Sequence, residues 1–311
     1  MKTTTTLRPI ACGTLLLVWL INVDARAADG EFERQLSVNG PVTLDVDTGS
    51  GSIDVRAGPE GQVTVRGEIR VSRRFLGWKP ANADELVQQV KADPPIELED
   101  GRLRVGDIRD RSLRRKVSIS YEIIVPAGTD VRAESGSGSV SVADITAPVS
   151  AETGSGSVRL ENIGGPVDAE TGSGSIRADG VAGAFSGSTG SGSIYLLQTA
   201  PGDVVTSTGS GSSELKGIAG SLRASAGSGR ITVDGRLEGD WRITTGSGSV
   251  RVTLPSDAAF ELEAESSSGS FELGHPVTVG GKRSQRRISG LVRGGGPLLY
   301  IDTASGSITV R

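Results

Sequence analysis

The chain runs to 311 residues and carries 45 glycines, 4% aromatic residues, one cysteine, one histidine and a formal charge of −4. This acidic balance argues against nucleic acid as a general partner, and the glycine-rich, aromatic-poor composition suits narrow coils of small side chains and excludes a deep globular core. With so few soft ligands, only carboxylates remain for a metal, which excludes a zinc site.

At the start, Lys2 and Arg8 precede an apolar stretch over residues 9–23, and Ala25-Arg26-Ala27 puts small residues where a signal peptidase reads. Residues 1–27 are predicted to be a secretory signal peptide cleaved after Ala27, with Cys12 inside its apolar region. Its loss removes Lys2, Arg8, Arg26 and Asp24, leaving 30 basic against 36 acidic residues and a formal charge of −6. The mature chain is then expected to be exported without disulfides, to the periplasm or the extracellular cell surface, and to carry no transmembrane segment.

Residues 28–130 are predicted to hold an opening rung and a small α+β N-terminal cap. Leu36, Val38, Val42, Leu44 and Val46 alternate into Thr48-Gly49-Ser50-Gly51-Ser52 and on to Ile53 and Val55. Val63, Val65, Ile69 and Val71 alternate as strands, and residues 82–92 read as a short helix with Asn82 as its N-cap and Pro94 beyond its end. Further strands are predicted over 96–98, 103–105 and 117–125. Such a cap covers the open edge of a first rung, which would otherwise template end-to-end growth.

Residues 131–311 are dominated by the phrase Thr-Gly-Ser-Gly-Ser followed by an apolar-polar-apolar triplet. Copies start at Thr48, Thr153, Thr171, Thr189, Thr208 and Thr245, with looser copies at Ser135, Ala226, Ser266 and Thr303. Successive second glycines (Gly138, Gly156, Gly174, Gly192, Gly211, Gly229, Gly248, Gly269) step by 18, 18, 18, 19, 18, 19 and 21 residues. Apolar pairs two apart flank each copy, as Val149/Ala151 and Val158/Leu160 do, so each pair lies on one face of a strand. A strand pair this short buries nothing alone, and stacked neighbours must share a core. The expected fold is all-β: a single-domain parallel β-solenoid of about ten 18–19-residue rungs, roughly 45 Å long at one strand spacing per rung. The glycines Gly136, Gly138, Gly154, Gly156, Gly172, Gly174, Gly190, Gly192, Gly209, Gly211, Gly246 and Gly248 are predicted to form a structural corner ladder. There a missing Cβ permits special dihedrals and close backbone approach, and the Ser hydroxyls bond the rungs above and below.

Catalytic chemistry is sparse. His275, which opens a loop insertion over 274–296, has no nucleophile motif beside it. The Gly-Ser phrases run into strands, whereas a phosphate-cradling loop needs a helix N-terminus. In-register stacking puts Glu134, Glu152 and Glu170 in one column and Arg159 beside Arg177 in another; these are expected to be solvated or paired across columns, with no aromatic platform beside them. Two basic clusters remain: Arg109, Arg111, Arg114, Arg115 and Lys116 in the cap, and Lys282, Arg283, Arg286 and Arg287 in the late loop. The second is the candidate anionic-surface binding site.

The signal segment, the motif Leu44-Asp45-Val46-Asp47-Thr48-Gly49-Ser50-Gly51-Ser52-Ile53, the segment ending in Val117–Pro126 and the repeats after it resemble a bacterial adhesin-like family with β-strand repeats, a domain of unknown function. The resemblance covers essentially the mature chain and implies a β-solenoid with no catalytic motif to transfer. The expected function is that of an exported, non-enzymatic, adhesin-like or cell-envelope scaffold or binding protein without cofactor. Its partners would be envelope polymers, anionic lipids or surface proteins. The alternative is a carbohydrate-active parallel β-helix enzyme, a polysaccharide lyase or hydrolase, which would need an acid-base cluster in a cleft.

Overall fold

A computed structural model describes residues 29–71, 82–106, 108, 116–278 and 286–311; the predicted signal peptide and Cys12 lie outside them. Two sheets, of 13 and 14 strands, face each other along the stack. Each middle repeat contributes one strand to each sheet: Val149–Thr153 and Val158–Ile163, for example, then Val167–Thr171 and Ile176–Val181. Neighbouring rungs pair parallel and in register, Val149 beside Val167 and Val158 beside Ile176. The chain is a β-solenoid.

The inward columns follow the apolar pairs. Val131, Val149, Val167, Phe185, Val204, Leu222 and Trp241 are all buried at one position, with the smaller Ala133, Ala151, Ala169 and Ala224 at the next. Each fully buried aliphatic side chain is worth about 2 kcal/mol, so the core grows rung by rung. At Phe185 the partner position yields: on Gly187 a Cβ would stand 2.7 Å from the Phe185 ring. Trp241 is satisfied inside by donating its indole N–H to the Gly220 carbonyl at 2.9 Å. Ser213, which interrupts the apolar pattern, nevertheless points inward between Ile194 and Ile231.

The stacking order departs from chain order at both ends. Thr43–Thr48 and Ile53–Gly58 stack on Asp130–Ser135 and Val140–Ala143, but Arg102–Val105 and Val117–Pro126 stack outside them. That outer layer lacks the Gly-Ser phrase and brings the stack among the described residues to eleven layers, where the repeat count suggested about ten. At the other end, Leu298–Ser305 and Ile308–Val310 insert between Trp241–Ser247/Val250–Thr253 and Phe260–Ser268/Phe271–Leu273. The glycine column therefore runs Gly248, Gly306, Gly269, with the last copy in sequence second to last in space.

The corner ladder rests on the expected close approach of backbone, without the special dihedrals and with a different hydroxyl. None of its glycines has a positive φ, so the requirement is close approach: a Cβ on Gly174 would lie 1.8 Å from the Gly156 carbonyl oxygen, and the same contact recurs at Gly156, Gly192 and Gly211. The hydroxyl ladder is formed by threonine. Thr171 Oγ1 donates to the Gly156 carbonyl at 2.8 Å and accepts from the Gly174 N–H at 3.1 Å. Thr153 and Thr189 repeat the pattern. Ser135 takes the threonine's place in its own rung. The last serine of a phrase acts more weakly, Ser175 Oγ accepting from the Ser193 N–H at 3.2 Å.

Antiparallel strands close the ends. Gly30–Ser37 pairs with Gln62–Val71, which pairs with Val117–Pro126. The helix Ala83–Ala92 buries Ala83, Leu86, Val87 and Val90, and Asn82 caps it through its carbonyl alone. Gly67 leaves a slot for the Phe32 ring, which meets Tyr121 edge-on at 6.5 Å. Burial, and secondarily Asp47, push the Tyr121 phenol well above its ordinary value of 10.0. The neutral form is therefore favoured in the folded state, so its contribution is full below pH 10 and is lost as pH rises from there toward the raised value. The denaturation midpoint is expected to fall between pH 9 and pH 11 by more in the parent than in Tyr121→Phe; equal falls would remove Tyr121 from the account.

Candidate functional site

The outward face of the 14-stranded sheet carries one side chain per rung in each column. On four consecutive strands, Val204–Thr208, Leu222–Ala226, Trp241–Ser247 and Leu298–Ser305, one column reads Val205, Arg223, Arg242, Tyr300. These residues line a shallow groove of about 450 Å³. Arg242 lies over the Tyr300 ring with its guanidinium carbon 4.4 Å from the centroid, a cation–π contact. Val205 is 47% exposed. Among the described residues neither Arg223 nor Arg242 has an ion-pair partner. Two carboxylates share the lining, each with one oxygen bound to backbone: Asp203 accepts from the Ser221 N–H at 3.1 Å and Asp240 from the Leu298 N–H at 2.8 Å.

The opposite face differs. Arg177 stands 4.3 Å and Lys216 5.4 Å from the centroid of Tyr195, but each is neutralised along its own strand, Arg177 by Asp179 and Lys216 by Glu214, both at 2.7 Å. Arg159 likewise pairs with Glu161 at 2.7 Å. The arginine column is thus paired across columns, as expected, each arginine with the carboxylate two residues along its own strand.

Glu134, Glu152 and Glu170 do stand in one column. Burial, then Glu152 and Asp47, push the Glu134 carboxyl above its ordinary range, with Arg132 opposing. Among the described residues no group of three or more His, Cys, Asp or Glu is placed to hold a metal ion. His275 is buried edge-on against Phe260 at 5.7 Å, its Nε2 without a partner among the described residues.

Of the basic loop, Lys282 and Arg283 lie outside the described residues. Arg287 belongs to the strand Arg287–Val292, which pairs antiparallel with Phe260–Ser268, and its guanidinium lies 2.8 Å from Glu265 and 3.9 Å from Glu263. The Arg286 carbonyl accepts from the Ser266 N–H at 2.9 Å. In the cap cluster only Lys116 lies among the described residues. The groove itself was missed because Tyr300 is 58 positions from Arg242 in sequence and reaches it only through the inserted last rung. The signal available was the arginine recurring at the same repeat position, Arg223 and Arg242.

A family model for the Toastrack DUF4097 domain matches residues 96–311. The chain belongs to the Toastrack DUF4097 family. The matched Toastrack region begins at the strand Ile96–Glu99 and takes in the whole groove; the opening rung, though part of the same stack, precedes it. Two solved structures are similar to this Toastrack chain. One is a candidate cell adhesion protein from Clostridium sporogenes ATCC 15579, 11% identical, covering 90% of this chain and 99% of its own, with a TM-score of 0.26. The other is a candidate adhesin from Bacteroides fragilis NCTC 9343, 12% identical, covering 91% of this chain and 98% of its own, with a TM-score of 0.41. No curated protein matches the chain. Among the described residues no helix is long and apolar enough to cross a membrane.

Proposed function

We propose that this Toastrack chain is an exported, non-enzymatic, adhesin-like binding protein or scaffold of the cell envelope. The observation that carries this reading is the groove: its cationic and aromatic side chains face outward on an in-register sheet, while the carboxylates that share its lining, Asp203 and Asp240, each accept a backbone N–H. Such a surface recognises a ligand through charge and stacking, and offers no freely placed acid-base pair of the kind glycoside cleavage requires. Export is supported by the basic and apolar character of residues 1–27 and by the absence of cysteine after Cys12.

The test is a binding screen of the chain from Ala28 onward against polysaccharides, peptidoglycan and anionic vesicles, with product analysis of every polysaccharide by mass spectrometry. Retention without cleavage is the expected result. Shortened or unsaturated sugars would instead establish the carbohydrate-active enzyme, and the search would move to the carboxylate column around Glu134.

A further inference from the structure

We infer that the groove formed by Val205, Arg223, Arg242 and Tyr300 binds an acidic polysaccharide, a chain of carboxylate-bearing sugars lying along the solenoid axis. This rests on the binding-protein reading above and names its ligand class. Three features select that class. The groove lies on the outward face of the sheet's interior, where the backbone groups are already paired to neighbouring rungs, so an extended peptide cannot gain main-chain bonds as it would at a free edge. Recognition must then come from side chains. Arg223 and Arg242 present two adjacent guanidiniums, roughly 4.8 Å apart at the backbone, without ion-pair partners among the described residues. The planar fork of each suits a carboxylate held bidentately. The exposed Val205 supplies apolar surface at one end of the row, against which the C–H face of a sugar ring packs, and Tyr300 at the other end holds Arg242 in place.

An anionic lipid is less well served, because Val205 is a single exposed aliphatic side chain and nothing comparable adjoins it in the column to receive acyl chains. The row is also bounded. Beyond Tyr300 comes Glu263, and beyond Val205 comes Ser186, so the basic segment is short and its far end is acidic.

The experiment measures binding of the chain from Ala28 onward to polygalacturonate, with dextran as neutral control, polyglutamate as acidic peptide and phosphatidylglycerol vesicles as anionic lipid. The parent should retain polygalacturonate in preference to the other three, and more weakly as salt rises. Arg223→Gln and Arg242→Gln should each weaken it about tenfold and the pair roughly a hundredfold, with unchanged melting temperature. Arg→Lys at both positions should recover only part of the loss, because a point charge replaces a planar fork. Tyr300→Phe should bind as the parent does. Equal retention of polyglutamate or vesicles, lost in the same variants, overturns the sugar assignment. Retention of polygalacturonate that the arginine variants leave unchanged overturns the groove while leaving the binding-protein reading intact. Failure of the parent to bind any envelope polymer in either screen overturns both.

Discussion

Gly174→Val is expected to destabilise the solenoid by about 4 kcal/mol or more, enough to prevent folding of the central rungs. The Cβ would meet the Gly156 carbonyl oxygen at 1.8 Å, its carbon at 2.5 Å and the Ser157 nitrogen at 2.9 Å, all rigid backbone of the preceding rung. A side chain that cannot turn away forces the rungs apart and takes the Thr171 bonds with it. Two neighbouring substitutions calibrate the effect. Thr171→Val keeps the shape but leaves the Gly174 N–H and the Gly156 carbonyl without their hydroxyl, at a cost of about 2 kcal/mol. Ser173→Ala changes an exposed hydroxyl and should stay within about 0.5 kcal/mol of the parent. Denaturant melts of the three, with Gly174→Ala as a milder probe of the same contact, give the ranking. A Gly174→Val chain melting alongside Ser173→Ala would end the close-approach account.

The second large effect is expected at the inserted last rung. Ile301 is fully buried between Ile243 and Ala264, themselves fully buried. Ile301→Asp therefore places a carboxylate between two other rungs, with no route to water, at a cost of about 3–5 kcal/mol. Hydrogen exchange should show lost protection on both sides, in Trp241–Ser247 and in Phe260–Ser268. A rung stacked in chain order would lie at the end of the array and disturb only the second. The order can also be read without damage. Thr244 and Asp302 are direct parallel neighbours, roughly 4.8 Å apart, within the reach of a disulfide. Thr244→Cys with Asp302→Cys should crosslink on oxidation, whereas Thr244→Cys with Glu265→Cys should not. Crosslinking of the second pair instead would restore sequential stacking.

Much of the fold was legible because a repeat writes the same physical constraint many times. The Gly-Ser phrase, the apolar pairs and the 18–19-residue step each imply stacked strands with one shared core. Stacking order was not legible, since a rung that inserts between two others has the same inward pattern as one that ends the array; Leu299 and Ile301 look like any other pair. The Thr171 hydroxyl was overlooked for a related reason: the serines of the phrase are more numerous, yet they point outward while the threonine points into the corner. The layer ending at Pro126 was harder still, because the Ile119 carbonyl meets Thr48 where a glycine carbonyl serves elsewhere. The groove needed the stacking order before Tyr300 could be placed beside Arg242.

The inserted rung also determines how the array bears tension. Ile308–Val310 is paired on one side to Val250–Thr253 and on the other to Phe271–Leu273. A pull applied at Arg311 must therefore shear two ladders at once, where a strand at an open edge would unzip one bond at a time. At the opposite end, a pull transmitted through Thr43–Thr48 meets the same arrangement, with Arg102–Val105 on one flank and Asp130–Ser135 on the other. A tether held at both ends of this chain would be gripped by clamped layers, and its weakest points would be the antiparallel flaps outside them.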